Sequence, residues 1–178
     1  MAEYQTTGPW MMYVGHAEIA PEFIAEDLGS VQIAQDIAAI KTQAGTFQKP
    51  TNNWNTSALK INLILPDISF VAELFPTLAN QNVSPTAGLV TFGGKNCDQS
   101  GLTPVVFHKA CADDGSEDWY FPACFLAEGG QYKFAAAQAI TYELDIYPQL
   151  SDNGIVTAGL PGFRYDPTQQ AYVAASGS

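Results

Sequence analysis

Apolar and polar residues alternate along much of the chain, in short runs that end at turn residues. A period of two is typical of strands with one buried face. Every second residue from Leu59 to Leu65 is apolar, for example. The same pattern predicts strands in "GSVQIAQDIAAIKTQ", "GLVTFGG", "TPVVFHKA", "WYFPACFL" and "QYKFAAAQAITYELDIYPQL". The sequence therefore predicts a mainly β protein.

One segment has a helical period instead. Asp67 can cap the amino end of a helix, and Ile68, Val71 and Leu74 repeat at helical spacing. Pro76 disfavours helical geometry at the residue before it. We expect one short α-helix that covers a face or an end of the sheet.

The strand "ITYELDIYPQL" has two chemically different faces. Tyr142, Leu144 and Ile146 point to one side, and Glu143 and Asp145 point to the other. The apolar side indicates a core. The acidic side fits either an ordinary solvated surface or a lining that must not bind an anion.

The composition of the chain restricts the classes of function that it can have. The chain has 178 residues, with 7 Lys and Arg against 18 Asp and Glu, so its formal charge is -11. This length predicts one domain over residues 1–178, with a mobile amino-terminal arm and a mobile carboxy-terminal tail. The acidic balance argues against a protein that grips phosphates. Without a membrane-spanning apolar run or a signal-peptide pattern, we expect a soluble protein made and kept in a cytoplasm.

The sequence gives little support for a metal-binding, nucleotide-binding or catalytic site. Cys97, His108, Cys111 and Cys124 lack metal-knuckle spacing, so no metal site is expected. No nucleotide-binding glycine motif is present, and no cofactor is expected. The acidic run "DDGSED" is expected to be a solvated hairpin turn in which Asp-Gly supplies a positive φ. Neighbouring carboxylates on one strand are more often solvated than catalytic, and we expect no enzyme.

Three segments carry a family resemblance: "DLGSVQIAQD", "ALKINLILPDISFVAELFP" and "WYFPACFLAEGGQYKFAAAQAITYELDIYPQL". In this order, over residues 15–160, the chain resembles the major tail tube proteins of long-tailed (siphovirus-like) bacteriophages. The likeness is one of pattern, because the family has no catalytic string to compare. The ending "PGFRYDPTQQAYVAASGS" matches no known element of the family.

The resemblance implies a structural virion protein with a β-sandwich or barrel-like tail tube fold and one short flanking α-helix. Six copies would close into a ring, and stacked rings would form the tube through which DNA is ejected. The implied partners are other copies of the chain, the tape measure protein and the tail terminator protein. DNA would pass without specific binding, and no membrane would be involved. The implied location is the virion tail, after assembly in the host cytoplasm, and the pattern does not distinguish contractile from non-contractile tails.

Two sets of residues follow from this interpretation. An acidic lumen would repel the DNA backbone over about 8 Å at physiological salt. The lumen candidates, which on sequence alone fit a solvated outer face as well, are Glu143, Asp145, Glu26, Asp27 and Asp36.

The second set lies in "AGTFQKPTNNWNTS", from Ala44 to Ser57, which is long for a hairpin loop. An exposed tryptophan would leave a large apolar surface in water, so we expect this loop to order against a neighbouring subunit. The candidate inter-ring residues are Lys49, Asn52, Asn53, Trp54 and Asn55.

Two other hypotheses stay open. A phage decoration or fibre-associated binding module would also be acidic and rich in strands, but it would remain a monomer or a trimer. A small β-sandwich hydrolase would need a working carboxylate pair.

Overall fold

The fold is mainly β, as the sequence predicts. The computed structural model describes residues 9–24, 30–65, 74, 79–80, 89–90, 102–127, 132–133, 140–152 and 154–175. Across these ranges, no helix has the length and apolar character needed to cross a membrane.

All strand pairs are antiparallel. The strands in chain order are Trp10–Val14 (β1), Ala17–Ile19 (β2), Ile33–Thr42 (β3), Gly45–Thr56 (β4), Leu59–Leu65 (β5), Ala79–Asn80 (β6), Leu89–Val90 (β7), Thr103–Lys109 (β8), Gly115–Leu126 (β9), Tyr132–Lys133 (β10), Ile140–Pro148 (β11), Thr157–Leu160 (β12), Phe163–Asp166 (β13) and Ala171–Ala174 (β14). A short 3₁₀ turn spans Pro21–Phe23.

The main sheet runs in the order β2, β1, β8, β9, β11, β5. β12 pairs with the first half of β9, and β10 pairs with the first half of β11. After β2, Ile24 forms an isolated antiparallel bridge with Leu63 of β5. The chain that follows one end strand therefore touches the other end strand, and the sheet curls into a half-barrel.

The apolar core fills the inside of this curl. Ile61 of β5 lies opposite Leu144 of β11, and both side chains are fully buried. The other core side chains come from β1, β2, β5, β8, β9 and β11, together with Leu74; they are Met12, Val14, Ala17, Ile19, Leu59, Leu63, Val105, Phe107, Phe121, Cys124, Tyr142 and Ile146.

The described parts of the alternating segments form strands as predicted, with one change; of "GLVTFGG", only Leu89–Val90 lies among the described residues. "ALKINLIL" contains β5, and the described side chains of its apolar face are buried. The long segment before residue 150 is not one strand, because β10 pairs antiparallel with β11. The predicted helix falls outside the described residues except for Leu74, which is helical and buried.

The prediction of a loop from Ala44 to Ser57 is wrong. This segment contains β4, which pairs with β3 along almost its whole length, and the turn between them is only Gln43 and Ala44. The hairpin is exposed on both faces, so no core imposes an apolar alternation on its sequence. The polar sequence of β4 therefore lacks the strand pattern, which is why a loop was predicted there.

The acidic run "DDGSED" does lie where a hairpin turns, between β8 and β9. However, Gly115 is not among the described residues with positive φ. A Cβ atom there would lie 3.0 Å from the Phe163 carbonyl oxygen and 3.0 Å from Asp118 Oδ2. The glycine is needed for close packing. Nor is the whole run solvated, because Asp118 is fully buried.

We predict that Ile61→Ala lowers the free energy of unfolding by about 2–5 kcal/mol, because it leaves a cavity opposite Leu144. Asn62→Ala is the control, because Asn62 is exposed on the other face of β5 and its truncation should cost less than about 0.5 kcal/mol. Urea unfolding followed by circular dichroism measures both. Equal unfolding midpoints for the two variants would contradict this core.

Candidate assembly surfaces

The β3–β4 hairpin carries apolar side chains in water. Ile40 lies directly opposite Phe47 near the tip, and Ile37 lies opposite Pro50 on the other face. Ile37 is 63% exposed and Phe47 is 57% exposed. Apolar side chains on both faces of an exposed ribbon are typical of a surface that another molecule covers.

The reach of the hairpin supports this interpretation. β4 has 12 residues, which span about 40 Å at about 3.4 Å per residue. This length is comparable to the whole width of a compact domain of this size, whose radius of gyration is about 16 Å. Both strands are exposed on both faces, so the hairpin extends away from the body and its tip is exposed.

The predicted inter-ring residues lie on this hairpin. Lys49 pairs with Ala38, Asn55 pairs with Ala34, and Trp54, which is 46% exposed, pairs with Gln35. Asn52 and Asn53 are exposed in the same strand. Their expected role against a neighbouring subunit stays a prediction.

Asp36, one of the predicted lumen acids, belongs to β3. Its carboxylate accepts a hydrogen bond from the Asn55 side chain, and its backbone carbonyl accepts one from Thr51 Oγ1 at 3.0 Å. These contacts fix the middle of the hairpin. Glu26 and Asp27 lie outside the described residues.

Glu143 and Asp145 come together on the outer face of β11. Lys60 of β5 lies 2.9 Å from Glu143 Oε1 and 3.4 Å from Asp145 Oδ1. The hydrogen bond with Glu143 is the main cause that raises the pKa of Lys60, and the nearby Asp145 carboxylate raises it further. The Lys60 ammonium group therefore forms ion pairs with two carboxylates. The cluster of these three side chains keeps one net negative charge.

Two aromatic rings continue the same outer face. Phe125 of β9 lies directly opposite Tyr147 of β11, with their ring centroids 6.4 Å apart. Both side chains are more than a third exposed. Tyr147 follows Asp145 by two residues, so the aromatic pair and the carboxylates form one continuous surface.

The carboxy-terminal segment that matched no family element forms a second hairpin, β13–β14. It covers the outer face of β1, β8 and β9 with a tyrosine cluster. The ring of Tyr165 lies 5.3 Å from that of Tyr13 and 5.6 Å from that of Tyr172. Tyr172 also packs edge-on against Tyr120 at 5.2 Å. Half of the outer face is thus covered by the chain itself.

Hydrogen bonds fasten this hairpin to the loops of the body. Tyr165 donates to the Gly15 carbonyl at 3.1 Å, and the Gly162 amide donates to Asp114 Oδ2 at 2.8 Å. Gly15 has φ +58 in the tight turn between β1 and β2, where glycine suits the first turn position.

A buried carboxylate forms the strongest link. Asp118 is fully buried and accepts a hydrogen bond from His108 Nδ1 at 2.6 Å and another from the Tyr172 hydroxyl at 2.7 Å. An ionised carboxylate can only accept, so both partners must carry the proton. This network joins β8, β9 and β14.

The network raises the pKa of His108. The hydrogen bond to Asp118 is the main cause, partly opposed by burial, and the Ala112 carbonyl also favours the protonated ring. Burial, followed by the hydrogen bond to Asp118, raises the pKa of Tyr172. A cavity of about 350 Å³ lies beside His108, lined in part by Glu18, Arg164 and Asp166. The surrounding groups favour the protonated form of His108, which suits a structural link better than a general base.

This second hairpin was not predicted, although the sequence contains a signal for it. "GFRYD" and "AYVA" are short alternating runs separated by a proline-containing turn, which is the usual pattern of a hairpin. Lys60 was not predicted either, because its pairing with Glu143 and Asp145 depends on the register between β5 and β11.

Chains in solved structures of an extracellular contractile injection system and of the anti-feeding prophage share this fold. A chain of the sheath/tube terminator of the extracellular contractile injection system PVC, in the extended state, is 17% identical with a TM-score of 0.51; the match covers 89% of this chain and 100% of that chain. A chain of the anti-feeding prophage (AFP) baseplate, 6-fold symmetrised, is 11% identical with a TM-score of 0.52, covering 84% of this chain and 94% of that one. Neither a protein-family model nor a curated protein sequence matches the chain.

We predict that the stabilising effect of His108 depends on pH. Because its folded-state pKa is raised above about 6.5, the stabilisation is complete below that value and is lost as pH rises through the raised pKa. The difference in unfolding free energy between wild type and His108→Gln should therefore be larger at pH 6 than at pH 9.

Tyr172→Phe is the matched control. It removes a hydrogen bond to the same carboxylate at a cost of about 1–3 kcal/mol. Its phenol stays neutral over this pH range, because its pKa is raised, so the cost should be similar at pH 6 and pH 9. Urea unfolding at the two pH values measures both variants. A pH-independent loss for His108→Gln would contradict the charged link.

Proposed function

We propose that this chain is a structural subunit that assembles with copies of itself into the tube of a phage-like tail or contractile injection particle. The observation that carries the proposal is the β3–β4 hairpin, which extends from the body with apolar side chains exposed on both faces. A monomer in water gains nothing from such an element, whereas a polymer buries it.

The shared fold supports the same conclusion. The two neighbours belong to a sheath/tube terminator and to a baseplate of contractile particles. Both matches extend over most of this chain and nearly all of the other, so the likeness concerns the whole subunit. Together with the resemblance to phage tail tube proteins, this favours a tube-type role.

We further propose that six copies form a ring and that the rings stack. Sixfold symmetry is used for the AFP baseplate, which contains one of the neighbours. A closed ring also satisfies a subunit that presents different surfaces to its two neighbours. With a formal charge of -11, such a tube would let DNA pass without binding it. Tape measure and terminator proteins would be its partners at assembly, in a virion or similar particle.

We predict that the purified protein forms rings or tubes at high concentration. Light scattering after size-exclusion chromatography gives the mass, and negative-stain microscopy gives the shape. A decoration or fibre-associated module would remain a monomer or a trimer at every concentration, and that result would refute the tube proposal.

We predict that a shortened hairpin abolishes assembly without unfolding the body. In this variant, residues 38–49 are replaced by Asn-Gly, which suits a two-residue turn between the paired residues Ile37 and Pro50. The control puts Asn-Gly in place of Gln43 and Ala44, so it keeps the full length of the hairpin. Both variants should unfold at the wild-type urea midpoint, but only the control should polymerise. Normal tubes from the shortened chain would show that the hairpin is not an assembly element.

A further inference from the structure

One face of the β3–β4 hairpin combines apolar and cationic groups. Ala38 pairs with Lys49 and Ile40 pairs with Phe47, so these four residues point to the same side and form what we call the hairpin face. All four are exposed. Within the described ranges, Lys49 has no carboxylate at ion-pair distance, although the chain is strongly acidic.

The outer face of the body has a complementary composition. We define the receiving face as Phe125, Glu143, Asp145 and Tyr147, which share one side of β9 and β11. The β13–β14 hairpin covers another part of the outer sheet surface, over β1, β8 and β9. On the receiving face, the aromatic pair is exposed and the two carboxylates are partly exposed.

In the part of the chain that the structure describes, the charges on the receiving face are not balanced. Lys60 is shared between Glu143 and Asp145, whose side chains are 29% and 22% exposed. Among the described residues, Asp145 Oδ1 is buried without a hydrogen-bond partner, and the 3.4 Å contact with Lys60 is its ion pair. One further cation would neutralise this cluster.

The spacing of the two faces also matches. On the hairpin, Lys49 follows the Ile40–Phe47 pair by two residues along its strand. On the body, Asp145 precedes the Phe125–Tyr147 pair by two residues. Two residues of strand span about 7 Å in both cases. When the apolar pairs stack, the lysine can therefore lie over the carboxylates.

We propose that the hairpin face of one copy packs on the receiving face of another copy. This inference rests on the tube assembly proposed above and names the two surfaces that meet. The sheets would pack face to face about 10 Å apart, with Ile40 and Phe47 against Phe125 and Tyr147, and with Lys49 near Glu143 and Asp145. A receiving face covered in this way does not line the lumen, so this assignment replaces the lumen position expected for these two acids.

The test exchanges charges between the two faces. The first variant, Lys49→Glu, makes the hairpin face acidic. The second combines Glu143→Lys, Asp145→Lys and Lys60→Glu, which keeps opposite charges in contact on the body and changes their net charge from -1 to +1. Lys41→Glu is the matched control, because Lys41 lies on the same hairpin but on its opposite face.

Each variant alone should need a protein concentration at least about tenfold higher than wild type for assembly, since about 1.4 kcal/mol corresponds to a factor of ten. Lys41→Glu should assemble as wild type does. An equimolar mixture of the two variants should assemble at close to the wild-type concentration, because each hairpin face then meets a receiving face of opposite charge. Pelleting and negative-stain microscopy give the critical concentrations, and urea unfolding confirms that each variant is folded.

The outcomes separate this inference from the proposed function. If wild type assembles and the shortened hairpin does not, but the mixture of folded charge variants fails, the hairpin binds elsewhere and this inference is wrong. Equal effects of Lys49→Glu and Lys41→Glu would also overturn it. If wild type itself never assembles, the proposed function fails, and this inference fails with it.

Discussion

The antiparallel ladder between β5 and β11 is the constraint on which the rest of the molecule depends. It pairs residues 59–65 with residues 140–146, so it joins the early and late parts of the chain. One face of the ladder supplies the centre of the core, and the other holds Lys60 against Glu143 and Asp145. A slip of one residue would exchange these faces, burying charges and exposing the apolar side chains.

The same ladder fixes the base of the β3–β4 hairpin. β4 leads into β5 after two residues, and Thr56 Oγ1 donates to the Pro148 carbonyl at 2.9 Å. The root of the hairpin is thereby held at the end of β11, close to Tyr147. Rigid attachment limits the orientations of a long exposed ribbon, which lowers the entropic cost of binding.

Strands whose apolar residues alternate with polar ones are predicted from the sequence. β5 and β11 were predictable because one face of each packs in the core and the other meets water. β3 was predicted from its apolar residues although both of its faces are exposed. β4 was not predicted, since both of its faces meet water and its sequence is mostly polar. The candidate site was harder still: Asp118 and Tyr172 are 54 residues apart, and their contact depends on the docking of a whole hairpin. The amphipathic strand was identified correctly, but its charge partner Lys60 follows only from strand register.

The position of the β3–β4 hairpin in the chain has a consequence during synthesis. Its two strands are adjacent in sequence, so the ribbon can form once residue 56 has left the ribosome, whereas the pairing of β1 with β8 must wait for residues 103–109. Local pairing is fast and distant pairing is slow. The receiving face is complete only when β11 has emerged, because its aromatic pair joins β9 to β11. Each nascent chain therefore exposes its hairpin while its own receiving face is still incomplete, so the two faces become available in a fixed order during synthesis.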